Sequence, residues 1–198
     1  MHTRTRTEVR SSHLRTFPLD ERRVALVPEQ AVLLAGDHVT VEVRVAPGAT
    51  LELVEPGGTV AYAMRGARAR WDVTVEVGAG GTLVWEAEPF VVAEGADVVR
   101  TLSVTTYGDA RVRLRETLVL GRTGEGPGLL RTRTDVTRDD RFVLVEEFDS
   151  GTGLGRHRVL DQRLHLGGGG GEDAMVLESG DQLERWLGSE LHQSPLQL

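Results

Sequence analysis

Residues 39–53 read VTVEVRVAPGATLEL, and residues 71–85 read WDVTVEVGAGGTLVW. In both, valines fall on every second position, a short turn of Pro and Gly or of Gly alone intervenes, and leucines resume the alternation. Side chains on a strand alternate between two faces, so a period of two marks strands with one buried face. Gly supplies the positive φ, and Pro the fixed φ, that tight turns between such strands require.

The unit of strand, turn and strand recurs along the chain. Val41, Val43 and Val45 lead into Pro47-Gly48-Ala49 and out through Leu51 and Leu53; a step of 32 residues brings Val73, Val75 and Val77, then Gly80-Gly81, then Leu83 and Trp85. A step of 29 places Leu102 and Val104 before Asp109-Ala110, with Val112 and Leu114 behind. A step of 30 places Thr134 and Val136 before Asp139-Asp140, with Phe142 and Leu144 behind. A lone hairpin cannot bury its apolar face, whereas hairpins packed side by side can. The expected fold is mainly β, with stacked antiparallel hairpins forming a layered core and one or two short helices.

Three segments lie outside the repeat. Residues 1–13 are polar and expected to be disordered. Residues 151–173 contain Gly151, Gly153, Gly155 and the run Gly167 to Gly171, so they read as loop around one short strand at Arg158 to Leu166. Leu183, Trp186, Leu187 and Leu191 fall at helical spacing, and Ser179 with Gln182 forms a capping box, so a helix is expected over 179–192, ended by Pro195. A length of 198 residues suits one domain.

Composition narrows the function. Hydrophobic residues at 39% and charged residues at 27% fit a globular chain, and no apolar run is long enough to span a membrane. With 30 acidic against 23 basic residues, the net charge of -7 lacks the basic footprint of a general nucleic-acid binder. Cys is absent, which excludes disulfides, thiolate metal sites and a Cys nucleophile; Lys is absent too, which excludes a Schiff base and a phosphate-loop lysine. The Arg-rich amino terminus has no apolar signal core, so a cytoplasmic location is expected.

Catalytic motifs are missing where they would be sought. The six histidines, His2, His13, His38, His157, His165 and His192, form no i,i+4 pair and read as surface residues, with His38 at the mouth of the first repeat strand the one of interest. GRTGEGPG at 121–128 has neither the lysine nor the helix of a phosphate loop, and no GxSxG elbow occurs. Glu146-Glu147 and Asp139-Asp140 are adjacent, so on strands their side chains point to opposite faces and form no acid/base dyad. Arg111, Arg113 and Arg115 alternate with Val112 and Leu114, placing three guanidinium groups on one face, and Arg131 and Arg133 do likewise. That face is either solvated and laddered with acids such as Glu42, Glu52 and Glu76, or a protein-docking face. Glu116 follows Arg115 near the sheet core, where a carboxylate needs a cation or water; it is either paired with Arg122 or another arginine, or part of an interior polar conduit.

In order, GDHVTVEVRVAPGATLEL (36–53), WDVTVEVGAGGTLVWEAEPFVVAEGADVVRTLSV (71–104), RLRETLVLGRTGE (113–125) and LLRTRTDV (129–136) resemble the urease accessory protein UreD family, also called UreH, in its short actinobacterial form. The resemblance implies a mainly β, non-enzymatic chaperone that binds apo-urease and UreF, which recruits the GTPase UreG, and helps Ni²⁺ reach the dinickel centre of urease. It implies no permanently bound cofactor, with Ni²⁺ passing transiently through an internal tunnel. Carried over residue by residue, Gly36 and Asp37 open the first repeat strand, Glu116 and Glu88 line the nickel path, and Gly121-Arg122 form the turn behind Glu116. Nickel accepts carboxylate, imidazole and water donors, and scattered carboxylates suit transfer better than storage. The competing readings are an independent β-rich binding module for carbohydrate or protein, and a carboxylate hydrolase or isomerase.

Overall fold

A computed structural model describes residues 7–29 and 33–196. Three short strands come first: β1 (Glu8–Ser11), β2 (Leu14–Pro18) and β3 (Arg23–Pro28). The repeats follow as β4 (His38–Val45), β5 (Thr50–Val54) and β6 (Thr59–Ala61), then β7 (Ala69–Val77), β8 (Thr82–Glu86) and β9 (Phe90–Val92). Next come β10 (Asp97–Thr106), β11 (Arg111–Leu120), β12 (Leu129–Arg138) and β13 (Arg141–Asp149). The chain ends with β14 (Val159–Leu166), β15 (Met175–Val176), β16 (Gln182–Gly188) and a 3-10 turn at Leu191–Gln193.

Among the described residues these strands form two sheets. One runs β1-β4-β7-β10-β12-β13; the other runs β15-β16-β14-β11-β8-β5-β3-β2, with β6 and β9 continuing it beside β11. The expectation of a mainly β, layered core therefore holds. The strand partners are not those of hairpins in the first three units. Each unit sends its first strand into one sheet and its second into the other, and each strand pairs in parallel with its equivalent one coil along: β4 with β7, β7 with β10, β5 with β8, and β8 with β11.

The turns explain the difference. Ala46–Ala49 and Gly78–Gly81 each close with a hydrogen bond from the fourth residue to the first, at 3.0 and 2.8 Å, and hold a positive-φ glycine third, Gly48 and Gly80. With Pro47 second, the first is the type II pattern, whose twist splays its strands rather than pairing them. The fourth unit is a true hairpin: Asp139 and Asp140 both sit at positive φ, the geometry of a two-residue hairpin turn, and β12 pairs antiparallel with β13. The pairs Val41↔Val73 and Val73↔Leu102 reproduce the sequence steps of 32 and 29, while Leu102↔Thr134 makes the third step 32 rather than 30. Tyr107, not Asp109, is thus the counterpart of Asp139.

Parallel pairing aligns like residues in rows. Val43, Val75, Val104 and Val136 form one inward row and Val41, Val73 and Leu102 another, facing Leu51, Leu53, Leu83, Trp85 and Leu114 of the opposite sheet. Trp71 meets Phe90 edge-on across the gap, with ring centroids 5.4 Å apart. The turns stack as well: Gly80 N donates to Asp109 Oδ1 at 2.7 Å, and Gly108 N to Asp139 Oδ1 at 3.0 Å.

Two further expectations are corrected. Residues 179–192 contain a strand, β16, instead of a helix. The exposed edge of β14 offers hydrogen bonds along Val159–Leu166, and taking them turns Leu183 into the core and Arg185 toward Gln162, so tertiary pairing overrides the helical spacing. Ser179 accepts from Asp181 N at 3.3 Å and donates to Asp181 Oδ2 at 2.8 Å, so it caps no helix. Of residues 1–13, Glu8–Ser11 form an ordered strand on β4, with Ser11 Oγ donating to Thr40 O at 2.7 Å; residues 1–6, including His2, lie outside the described residues. The strand expected at Arg158 to Leu166 is present as β14, and the rest of 151–173 is loop.

The coils stack closely where Gly78 abuts Pro47: a Cβ on Gly78 would lie 2.8 Å from the Pro47 ring. Gly78→Ala is expected to lower stability by about 1–3 kcal/mol, as overpacking does. Urea unfolding followed by circular dichroism checks this, with a lower midpoint and an unchanged slope as the expected result.

Candidate functional site

The inward rows contain one strong break. Arg100 stands on β10 in phase with Val98, Leu102 and Val104, and Glu116 stands on β11 in phase with Val112, Leu114 and Leu118, so both point between the sheets. Arg100 Nη1 lies 2.6 Å from Glu116 Oε1, and the guanidinium carbon sits 4.5 Å from the centroid of the Phe90 ring. Gln162 on β14 is paired in register with Glu116 and donates from Nε2 to Glu116 Oε2 at 2.9 Å. Arg185, opposite Gln162 on β16, donates to Gln162 Oε1 from Nη2 at 2.8 Å and from Nε at 3.1 Å. The same guanidinium donates to both Glu146 oxygens at 2.7 and 2.6 Å.

Because Glu146 belongs to β13, this polar seam crosses from one sheet to the other at Arg100–Glu116 and returns at Arg185–Glu146. A carboxylate buried as deeply as Glu116 costs several kcal/mol unless matched by charge and hydrogen bonds. Here a guanidinium faces one oxygen and an amide the other. A cavity of about 30 Å³, room for a water molecule, lies alongside and is lined by Glu88, Phe90, Arg100 and Glu116 among others. Glu55 stands near it, accepting from Trp85 Nε1 at 2.8 Å and from Glu88 N at 3.2 Å. Burial pushes the Glu55 carboxyl up, and these hydrogen bonds and the Arg100 charge pull it only part of the way back.

A second charged cluster lies on the outer face of the larger sheet. Asp161 is fully buried; it accepts from Arg115 Nε at 2.9 Å and Nη2 at 2.8 Å, from Thr117 Oγ1 at 2.9 Å and from Ser194 Oγ at 2.5 Å. Burial raises its pKa, but the hydrogen bonds from Arg115 and Ser194 and the Arg115 charge outweigh that and hold it below the usual carboxylate range. The Ser194 bond pins the tail over this face, as does the Leu196 carbonyl, which accepts from Arg163 at 3.0 Å.

The residues expected from sequence separate into three places. Glu116 and Glu88 do line one cavity, and the partner of Glu116 is Arg100 rather than Arg122. Arg122 is on the surface, paired with Glu125, while Gly121 makes its turn at positive φ with its N–H on Val92 O at 2.7 Å. Gly36 also has positive φ, and Asp37 accepts from Leu34 N at 2.7 Å, closing the turn into β4. Arg111, Arg113 and Arg115 share a face, but their acidic neighbours are not Glu42, Glu52 and Glu76: Arg113 pairs with Glu86 at 2.8 Å and Arg115 is bound to Asp161. His38 contacts Asp72 at 2.6 Å, and no trio of His, Asp or Glu among the described residues is arranged to hold a metal ion. Sequence reasoning missed Arg100, Gln162, Arg185 and Asp161. Arg100 carried a usable signal, since in DVVRTLSV it takes an inward position between valine and leucine.

Comparison with known proteins decides the kinship. Residues 14–171 match the UreD urease accessory protein family. The chain belongs to the UreD family. A UreD 1 protein of Streptomyces griseus is 52% identical over 130 residues, which cover 66% of this chain and 51% of that one. A UreD protein of Streptomyces avermitilis is 38% identical over 153 residues, 72% of this chain and 61% of its own. UreD 2 of Saccharopolyspora erythraea is 35% identical over 156 residues, 73% and 54% respectively. The chain thus spans little more than half the length of these relatives. Within this UreD-family chain, no helix among the described residues is long and apolar enough to cross a membrane.

Asp161 sets an acid limb for stability. Its folded pKa is depressed, so its contribution is full above the unfolded value of about 4 and fades as pH falls through the folded one. Asp161→Asn is expected to lose roughly 2 kcal/mol at pH 7 and to lose less on further acidification than the unaltered chain. Thermal melts at pH 7 and pH 3 measure both effects.

Proposed function

We propose that the chain is a non-catalytic scaffold of urease maturation in the cytoplasm, which binds apo-urease and UreF, and UreG through UreF, and assists the delivery of Ni²⁺ to the urease active site. One observation carries this reading: the UreD family match over residues 14–171. The buried seam supports the transfer step, because a polar line between two otherwise apolar sheets is what a hydrated cation needs to pass. Ni²⁺ is the cargo here, and weak, dispersed carboxylates at Glu116 and Glu88 release it more readily than a closed ligand set.

The surface supports docking. β13 is an edge strand, and Phe142 on it is 73% exposed. Arg111 and Arg113 are exposed on the other sheet, while Arg115 is held back under the tail.

Deleting the gene in a host that makes urease is expected to leave urease protein present but poor in nickel and inactive. Unchanged nickel content and activity reject the reading. In a reconstituted mixture with UreF, UreG and apo-urease, Glu116→Ala is expected to keep complex formation, read by pull-down, and to lower nickel loading, read by elemental analysis. Normal loading returns Glu116 to a structural role.

A further inference from the structure

The three arginines that touch the two buried polar clusters are not bonded alike. Arg115 delivers two hydrogen bonds to Asp161, and Arg185 delivers four to Gln162 and Glu146. Arg100 meets Glu116 through Nη1 in an ionic contact alone, off the line of a hydrogen bond, and its buried Nε has no partner among the described residues. Buried guanidinium N–H groups left unbonded are costly, and natural structures rarely keep them without a reason. What holds Arg100 is charge and the face of Phe90, both tolerant of a swing of the side chain. The cavity beside it is space for one water molecule to bond the guanidinium as it turns away from Glu116.

We propose that Arg100 is a resident counter-cation that gates the seam, so that a divalent cation reaches the Glu116 carboxylate only by exchanging with the guanidinium. Glu116 explains why exchange is required. With Arg100 withdrawn, its remaining partner is the neutral Gln162 amide, and a buried carboxylate so placed demands another cation. Glu88 lines the same cavity, so the vacated place has a second carboxylate beside it. In the closed form the place is taken, in keeping with the absence of a ready metal-binding trio among the described residues. The proposal deepens the transfer reading above by adding a gate to it, and it is tested without urease.

The test is Ni²⁺ binding to the purified chain, by equilibrium dialysis at neutral pH. Arg100→Met, which keeps the bulk and removes the charge, is expected to tighten Ni²⁺ binding at one site by at least about tenfold, because it leaves a buried carboxylate without its cation. Combining Arg100→Met with Glu116→Gln is expected to return the affinity to that of the unaltered chain. Arg100→Lys keeps the charge on an amine that withdraws more easily, and a gain of about threefold is expected. Circular dichroism verifies folding, and the lysine variant decides the matter if the methionine variant does not fold. Unaltered affinity in the folded variants overturns the gate, as does a gain that survives Glu116→Gln. If Arg100→Met gains the site while urease loading in the reconstituted mixture is unchanged, the gate stands and the transfer reading falls.

Discussion

Parallel, in-register stacking of equivalent strands is the constraint on which the rest of this chain depends. No single coil can bury its own valines; each row closes only when the next coil lays the same residue type beside it. The glycines at the turns serve that stacking directly, since Gly78 approaches the Pro47 ring more closely than any side chain allows. The fourth unit ends the stack by folding back as a hairpin, which leaves β13 as an edge strand of the six-stranded sheet.

A core built of aligned rows makes any inward charge conspicuous. Running across β4, β7, β10 and β12, the row Val39, Trp71, Arg100, Thr132 changes from apolar to polar at one strand, and the opposite sheet answers with Glu116 at its own inward position. Neither charge is tolerable alone in that setting, so each fixes the other. Gln162 and Arg185 then extend the line to Glu146 at the open side of the sandwich. The seam is therefore a consequence of two charged residues in an otherwise apolar pattern, and it ties β13 to β16 across the two sheets.

Much of this was readable in the sequence. Period-two alternation located β4, β7, β10 and β11, and the recurring turns exposed the repeat. Alternation says which face a side chain takes but not which strand lies beside it, so arches and hairpins looked the same until φ at Gly48 and at Asp139-Asp140 told them apart. The helix expected over 179–192 failed for a similar reason: Leu183, Trp186 and Leu187 satisfy helical spacing, but the vacant edge of β14 settles the conformation, and a neighbouring edge leaves no mark on local periodicity. Glu116 was identified because a carboxylate near the sheet core needs a cation or water. Its partner was missed because Arg100 was not singled out from DVVRTLSV, although phase with Val98 and Leu102 places it inside.

Glu116 joins the two sheets, and the strength of its contact with Arg100 bears on the fold and on the proposed passage of a cation. A double-mutant cycle of folding stability on Arg100→Met and Glu116→Gln, followed by chemical denaturation, measures that bond directly. Each single change should be costly and the double change much less so than their sum, giving a coupling of about 2 kcal/mol or more. Strictly additive losses would mean that the two charges do not meet in the core, and the polar seam would have no foundation.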